Sequence, residues 1–143
     1  PYGNAITGAH QMALSVLFET GTPSMADKAN TYYDAKIMDF YRSIPSTRDK
    51  TVFLGGQPDY YYAAAAKAGD TWFAGIVNSV ISDTVSIDLS FLGSGEYDAE
   101  IFTDTGSNGK DVAREVRTVT AGTTLTFDLR ENGGVAIRFM KKA

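Results

Sequence analysis

Apolar and polar positions follow two different periods along this 143-residue chain. Between Ile6 and Ile44 the apolar residues recur at helical spacing, whereas from Thr51 onward they tend to alternate with polar residues. A period near 3.6 is typical of helices, and a period of two is typical of strands. The pattern therefore predicts a helical segment followed by a β-rich region.

The helical segment is predicted to contain two helices. The first, Ala9–Phe18, is apolar on more than one face, which predicts burial between neighbouring elements. Gly21 and Pro23 interrupt the helical pattern. A second amphipathic helix, Asn30–Ser43, follows and ends before Pro45. Because this chain offers little to cover the first helix, we expect that helix to pack against structure that lies upstream.

The β-rich region divides into eight short segments separated by turn residues. Alternation is clearest in Thr84–Leu89 and Thr123–Leu129, and clusters rich in glycine separate the segments. Short strands with frequent turns predict a mainly β fold, an antiparallel β-sandwich of about eight strands preceded by the two helices. The predicted strands are Thr51–Leu54, Tyr60–Ala66, Thr71–Val77, Thr84–Leu89, Tyr97–Thr103, Glu115–Thr120, Thr123–Leu129 and Val135–Met140.

Composition narrows the range of functions. The formal net charge of −4 disfavours nucleic acid as a partner, because phosphate binding needs a basic surface. The same charge offers no polybasic patch for a membrane surface. The chain has no cysteine, which excludes disulfides, thiolate metal sites and cysteine nucleophiles. No apolar run approaches the roughly 18 residues that a membrane-spanning helix needs.

Candidate catalytic residues are few. His10, the single histidine, lies in the first predicted helix and is predicted to be a hydrogen-bonded packing residue. Glu19 and Asp27 flank the break between the two helices, where a loop could line a pocket, although helix capping is the competing interpretation. The other acidic residues lie mostly at strand edges and turns, where we expect a solvated face.

One stretch approaches the spacing of a calcium-binding loop. Asp104, Asn108, Gly109 and Glu115 occupy the positions that an EF-hand loop requires, but Gly106 stands where a second ligand is needed. The flanking residues alternate as in strands rather than helices. We therefore predict a hairpin loop here and no metal site.

Aromatic side chains could provide a stacking platform for sugars. Tyr60, Tyr61 and Tyr62 are consecutive on a predicted strand and must point alternately to its two faces. Trp72 lies on the next strand. Packing within the sheet is the competing interpretation, and solvent exposure of these rings would distinguish the two.

Six strings of the chain, taken in order, carry a resemblance to a known family. They are Ala9–Glu19, Ile44–Asp49, Gly69–Gly75, Ile87–Gly93, Tyr97–Asp104 and Gly133–Arg138. Together they resemble glycoside hydrolase family 97, the retaining or inverting α-glucosidases and α-galactosidases of Bacteroides-like bacteria. The resemblance covers nearly the whole chain and departs from the family pattern at Thr20–Ser24.

The resemblance implies an architecture with an N-terminal β-sandwich, a central (β/α)8 barrel and a C-terminal β-domain. Residues 1–48 would then be the terminal helical segment of the catalytic barrel, and residues 49–143 the C-terminal antiparallel β-sandwich. It further implies that the catalytic residues and a calcium site belong to the upstream barrel, with no cofactor and no catalytic residue in this chain. Because barrel active sites lie at the C-terminal ends of strands, Asp27 and Glu19 are expected at the rim of the substrate pocket.

The function implied by the resemblance is that of a non-catalytic C-terminal fragment of an α-glycoside hydrolase, whose β-domain packs on and stabilises the barrel. Its partners would be its own barrel and N-terminal domain, with oligosaccharide bound through the parent enzyme, and its location periplasmic or secreted. Substrate specificity and stereochemistry would be set by upstream residues. Two alternatives remain from the residues themselves: an independent carbohydrate-binding module, and a structural or adhesion sandwich without a ligand.

Overall fold

The computed structural model describes residues 8–17, 39–40, 43–44, 49–57, 60–78, 83–105, 111–130 and 133–142. One helix and eight strands are defined within these ranges. The strands lie close in sequence to the eight that the period-two pattern predicts. Their bounds are α1 (Gly8–Leu17), β1 (Lys50–Gln57), β2 (Tyr61–Ala68), β3 (Thr71–Asn78), β4 (Asp83–Asp88), β5 (Tyr97–Thr105), β6 (Asp111–Val119), β7 (Thr124–Leu129) and β8 (Gly134–Lys141).

The strands form two antiparallel sheets of unequal size. Six of them lie in the order β1-β2-β3-β8-β5-β6, and β4 and β7 form a separate pair. This arrangement confirms the prediction of a mainly β, antiparallel fold of eight strands. Helix α1 agrees with the first predicted helix, but the expectation that this chain offers little to cover it is wrong, because α1 packs on β3 and β8 and its Ala9, Met12 and Ala13 are fully buried. Residues 39, 40 and 43 are helical, but the rest of the second predicted helix lies outside the described residues.

The main core lies between the two sheets. Trp72, Ile76, Ile137 and Phe139 of the large sheet pack in one cluster with buried side chains of the small sheet, such as Ile87. In β4 and β7, buried and exposed positions alternate, because the small sheet turns only one face toward this core. The alternation that identified these two strands in the sequence therefore has a direct structural cause.

The central strands of the large sheet are covered on both faces. Four consecutive residues of β2, Ala63–Ala66, are buried, β3 contains a buried run of five, and β8 contains a buried run of four. One face of these strands meets the small sheet, and the other, which we call the outer face, meets α1 and Phe40. Helix, large sheet and small sheet thus form three layers around two apolar clusters.

The two edges of the large sheet differ. Strand β1 pairs with β2, and its register shifts between Phe53 and Gly55. Strand β6 pairs with β5 without a register shift over all nine residues, from Asp111 to Val119. Among the described strands, β1 and β6 each have one neighbour. One edge is therefore irregular and the other is straight.

Candidate docking surface

The outer face of the large sheet carries an apolar cluster that joins strands to helical residues. Met12 and Val16 of α1, together with Phe40, pack on Phe73 and Phe102 of the sheet. The rings of Phe40 and Phe102 meet edge to face with centroids 5.1 Å apart. Burying each such side chain stabilises a fold by about 1.5–3 kcal/mol. Hydrophobic burial is therefore the main force that holds the helical residues on the sheet.

Two glycines let α1 approach the sheet closely. A Cβ atom at Gly75 would lie 2.8 Å from the carbonyl oxygen of Ala13, and one at Gly134 would lie 2.7 Å from the Cα of His10. Both distances are shorter than real Cβ contacts, and both involve backbone atoms of α1 that have little room to shift. The helix therefore seats against the backbone of β3 and β8 only because these positions lack a side chain.

A carboxylate from the sheet caps α1. Asp104 of β5 accepts hydrogen bonds from the amide of Ala9 at 3.3 Å and from the amide of Gly134 at 3.2 Å. The first amides of a helix have no partner within the helix, and a negative charge at this end is favoured by the helix dipole. One side chain thus ties the start of α1 to both β5 and β8.

His10 adds a second polar tie at the same place. Its Nδ1 lies 2.9 Å from the carbonyl oxygen of Gly133, and because a carbonyl can only accept, Nδ1 carries the proton. The ring is partly buried. The expected role of His10 as a hydrogen-bonded packing residue is therefore confirmed.

A buried carboxylate organises the charges on the outer face. The side chain of Glu100 is 1% exposed, and its Oε2 accepts a hydrogen bond of 2.7 Å from Nε of Arg114. Its Oε1 lies 2.7 Å from Nη2 of Arg138, an ion pair rather than a well-angled hydrogen bond. Arg138 also donates to Asp39 Oδ2 at 2.8 Å. The network links β6, β5 and β8 to the helical residues around Asp39.

Glu100 corrects an expectation from the sequence. Acidic residues on the strands were expected on a solvated face, and for Glu100 that expectation is wrong, because its side chain is covered by the outer-face cluster and by Arg138. A usable signal lay in the sequence, where Ala99, Ile101 and Phe102 give Glu100 an unbroken apolar neighbourhood. Two arginines on later strands supply the opposite charge that a buried carboxylate needs.

The aromatic residues that could stack on sugars divide into buried and exposed rings. Trp72 is only 4% exposed and belongs to the main core, so it offers no platform. Tyr60 and Tyr62 are 43% and 41% exposed. Phe53, which the sequence did not single out, is 62% exposed and its ring lies 5.6 Å from that of Tyr62, tilted by 46°. A flat sugar platform requires coplanar rings, and these two rings are not coplanar.

The remaining candidate residues are placed as follows. Glu19 and Asp27 lie outside the described residues. Asp104, the first position of the calcium-like stretch, binds helix and strand amides, and its flanks pair as the predicted antiparallel hairpin of β5 and β6. Within the described ranges, no three acidic or histidine side chains cluster as metal ligands would. None of the helical residues that the structure describes forms a segment long and apolar enough to span a bilayer.

Comparisons with known proteins agree with this geometry. Residues 47–140 match the sequence model of the family described as "Glycosyl-hydrolase 97 C-terminal, oligomerisation". A retaining α-galactosidase from Bacteroides thetaiotaomicron is 29% identical over 137 residues, which span 92% of this chain and 20% of that protein. A probable retaining α-galactosidase from Streptomyces bingchenggensis is 33% identical over 135 residues, spanning 93% and 20%. This chain thus spans about a fifth of the curated relatives that it matches.

Solved structures show the same fold. A glycoside hydrolase family 97 enzyme from Pseudoalteromonas sp. strain K8, solved in complex with acarbose, superposes with a TM-score of 0.84 at 27% identity over 96% of this chain and 23% of that chain. A β-arabinopyranosidase structure gives a TM-score of 0.72 at 24% identity over 93% and 21%, a likeness that concerns the fold alone. Helix α1 and the sheets therefore recur together in a larger protein.

Proposed function

Because this chain belongs to the glycosyl-hydrolase 97 C-terminal family, we propose that it is the non-catalytic C-terminal part of a longer α-glycoside hydrolase. Its β-domain would pack on a catalytic barrel, stabilise it and contribute to assembly of the parent protein. The observation that carries this proposal is the contact on the outer face of the large sheet. There a helix from the N-terminal side of the chain packs on apolar residues and two glycines and is capped by a carboxylate.

We propose the domain division that the family resemblance implies, and the same surface is consistent with it. Residues 1–48 would form the end of the barrel, with α1 as one of its helices, and residues 49–143 would form the β-domain. The ion pair between Asp39 and Arg138 then joins the two parts, and Arg138 is also paired with Glu100, which in turn binds Arg114. In this arrangement the interface is both apolar and charge-matched.

The substrate pocket and the metal would belong to the upstream part of the parent. Its substrates would be α-glucosides or α-galactosides, as the named activities of the curated relatives suggest for the galactosides. Asp27 and Glu19 would stand at the pocket rim in the intact enzyme, and the calcium that the family resemblance implies would bind in the barrel. A periplasmic or secreted location is proposed on the same resemblance.

Assays of the chain itself test the proposal. We expect no turnover of aryl α-glucosides or aryl α-galactosides, because glycoside hydrolysis needs two facing carboxylates and the proposed catalytic machinery lies upstream. Release of the aryl leaving group can be followed by absorbance. Turnover that disappears in Asp27→Asn or Glu19→Gln would contradict the non-catalytic role.

The alternative of an independent carbohydrate-binding module rests on the exposed rings of Tyr60, Tyr62 and Phe53. A titration with maltose and melibiose, with and without calcium, followed by amide NMR, distinguishes the two functions. Shifts clustered on β1 and β2 would favour the binding module. We expect no such shifts, because the Phe53 and Tyr62 rings are tilted against each other and Trp72 is buried.

A further inference from the structure

Among the strands that the structure describes, β6 has a long and regular edge with no second neighbour. All nine of its residues pair with β5 in register, and six consecutive residues, 113 to 118, are exposed. A straight edge strand has a row of free amides and carbonyls that can pair with another strand. The opposite edge, β1, is interrupted by its register shift at Phe53 and Gly55. The sheet is therefore better suited to extension at β6 than at β1.

The side chains of β6 carry a self-complementary pattern around Val116. Val116 is 48% exposed. Glu115 and Arg117 flank it, lie together on the other face of the strand, and form an exposed ion pair in which Nε and Oε2 are 2.9 Å apart. Charged side chains can protect an edge strand, and charges of one sign would repel a second copy. Here one negative side chain, Glu115, and one positive side chain, Arg117, lie one residue on either side of the apolar Val116.

We propose that β6 is the surface through which two copies of this chain pair, antiparallel and edge to edge, with Val116 on the two-fold axis. This inference rests on the assembly role proposed above and names its contact. In an antiparallel two-fold pair, residue 116 faces its own copy, and residues 115 and 117 face each other twice. The pair brings together four alternating charges on one face and two Val116 side chains on the other.

Charge also selects this register over its neighbours. A two-fold axis at residue 115 would place two glutamates directly opposite, and an axis at 117 or 114 would place two arginines opposite. Like charges directly opposite on neighbouring strands destabilise the pair, and opposite charges stabilise it. The register centred on Val116 is therefore favoured over each of these three alternatives.

Disulfide trapping tests the register. The chain has no cysteine, so Val116→Cys introduces a single thiol. Facing residues in an antiparallel pair have Cβ atoms about 4.5–5.5 Å apart, within reach of a disulfide after small shifts. We expect mild oxidation to give a covalent dimer on non-reducing gels. Thr118→Cys is the matched control, because it lies on the same face and edge but about 13 Å along the strand from its copy.

Charge reversal tests the contact without new covalent chemistry. We expect Arg117→Glu to weaken self-association, measured by sedimentation equilibrium, about tenfold, because each Glu115 then faces a glutamate. The double variant Glu115→Arg with Arg117→Glu exchanges the charges and restores association. Thermal melts of the variants, which we expect to match the wild type, exclude a folding defect, since the exposed pair within one strand contributes little to stability.

The outcomes separate this contact from the assembly role. Cross-linking at 116 but not 118, together with rescue by the double variant, supports the pairing. Self-association that responds to neither the thiols nor the charges overturns the β6 contact and leaves the assembly role standing. A chain that stays monomeric and does not cross-link at residue 116 overturns both the β6 contact and the assembly role. The packing of the β-domain on a barrel is tested separately by activity and truncation.

Discussion

At the scale of single residues, Glu100 is the most consequential side chain of the docking surface. It is buried, and it contacts Arg114 and Arg138, of which Arg138 is itself only 12% exposed. Charges removed from water are costly unless they are paired, so the partners depend on one another. Arg138 in turn reaches Asp39, so the carboxylate in the sheet controls a contact to the helical residues.

We expect Glu100→Gln to lower the free energy of unfolding by about 3 kcal/mol, because it removes the buried carboxylate beside the guanidinium of Arg138 and leaves only the exposed carboxylate of Asp39. Urea denaturation followed by circular dichroism measures the loss. Asp98→Asn is the matched control on the same strand: its ion pair with Lys142 is exposed and 3.8 Å long, so its removal should cost less than about 1 kcal/mol. Equal losses in both variants would contradict a special role for Glu100.

The residue-scale predictions from the sequence succeeded only where local chemistry decided the outcome. His10 is the packing residue that its helical context indicated. Asp104 was weighed as a calcium ligand, and its actual partners, the amides of Ala9 and Gly134, come from segments distant in sequence. The exposure of Phe53 is likewise not predictable from its local sequence, since it depends on which strand lies at the edge of the sheet.

At the scale of elements, the contact of α1 with β3 and β8 is a close approach between layers. Its fit depends on Gly75 and Gly134 and on the cap from Asp104. Interiors are packed at near-crystalline density, so a helix seated on backbone atoms cannot absorb an added methyl group without moving. The helix is therefore positioned by sterics as well as by burial.

We expect Gly134→Ala to destabilise the chain by about 1–3 kcal/mol, the usual range for overpacking, since the new Cβ would overlap the backbone of α1 and the carbonyl oxygen of Ile76. Amide hydrogen exchange should show α1 losing protection more than β4 or β7. Gly122→Ala is the control, because its nearest neighbour would be 3.8 Å away. That substitution should change stability by no more than about 1 kcal/mol.

The strands themselves were predictable, and their arrangement was not. Turn residues and alternation located all eight strands, most closely β4 and β7, where one face is solvated. Pairing order is non-local: β8 lies between β3 and β5, and β4 and β7 leave the large sheet to pair with each other. Local periodicity cannot report such pairings, and the strands covered on both faces, such as β2, show no alternation at all.

At the scale of the whole molecule, the large sheet contributes side chains to two apolar clusters, one on each of its faces. One lies under the small sheet, and the other lies under α1 and Phe40. The second cluster depends on residues from the N-terminal third of the chain. The proposed division at residues 48 and 49 therefore cuts through a packed layer, which explains why a domain boundary in sequence need not be a boundary in packing.

We expect a shortened chain of residues 49–143 to expose Phe73 and Phe102, bind the dye ANS and aggregate at lower concentration than the full chain, because it loses the cover of the outer face. Fluorescence and light scattering measure both effects. The same shortened chain with Phe73→Thr and Phe102→Thr is the control, and it should bind less dye. A shortened chain as soluble and stable as the full one would show that the outer face needs no cover.

The register shift in β1 has a consequence for the size that any edge-to-edge assembly can reach. Endless growth of a sheet, as in a fibre, requires an open edge on both sides of each unit. In this protein the shift between Phe53 and Gly55 makes one side a poor template, whereas β6 remains regular. Two units that join through β6 would use up the regular edge of both large sheets, so among the described strands of those sheets only the irregular β1 edge would be left for further growth.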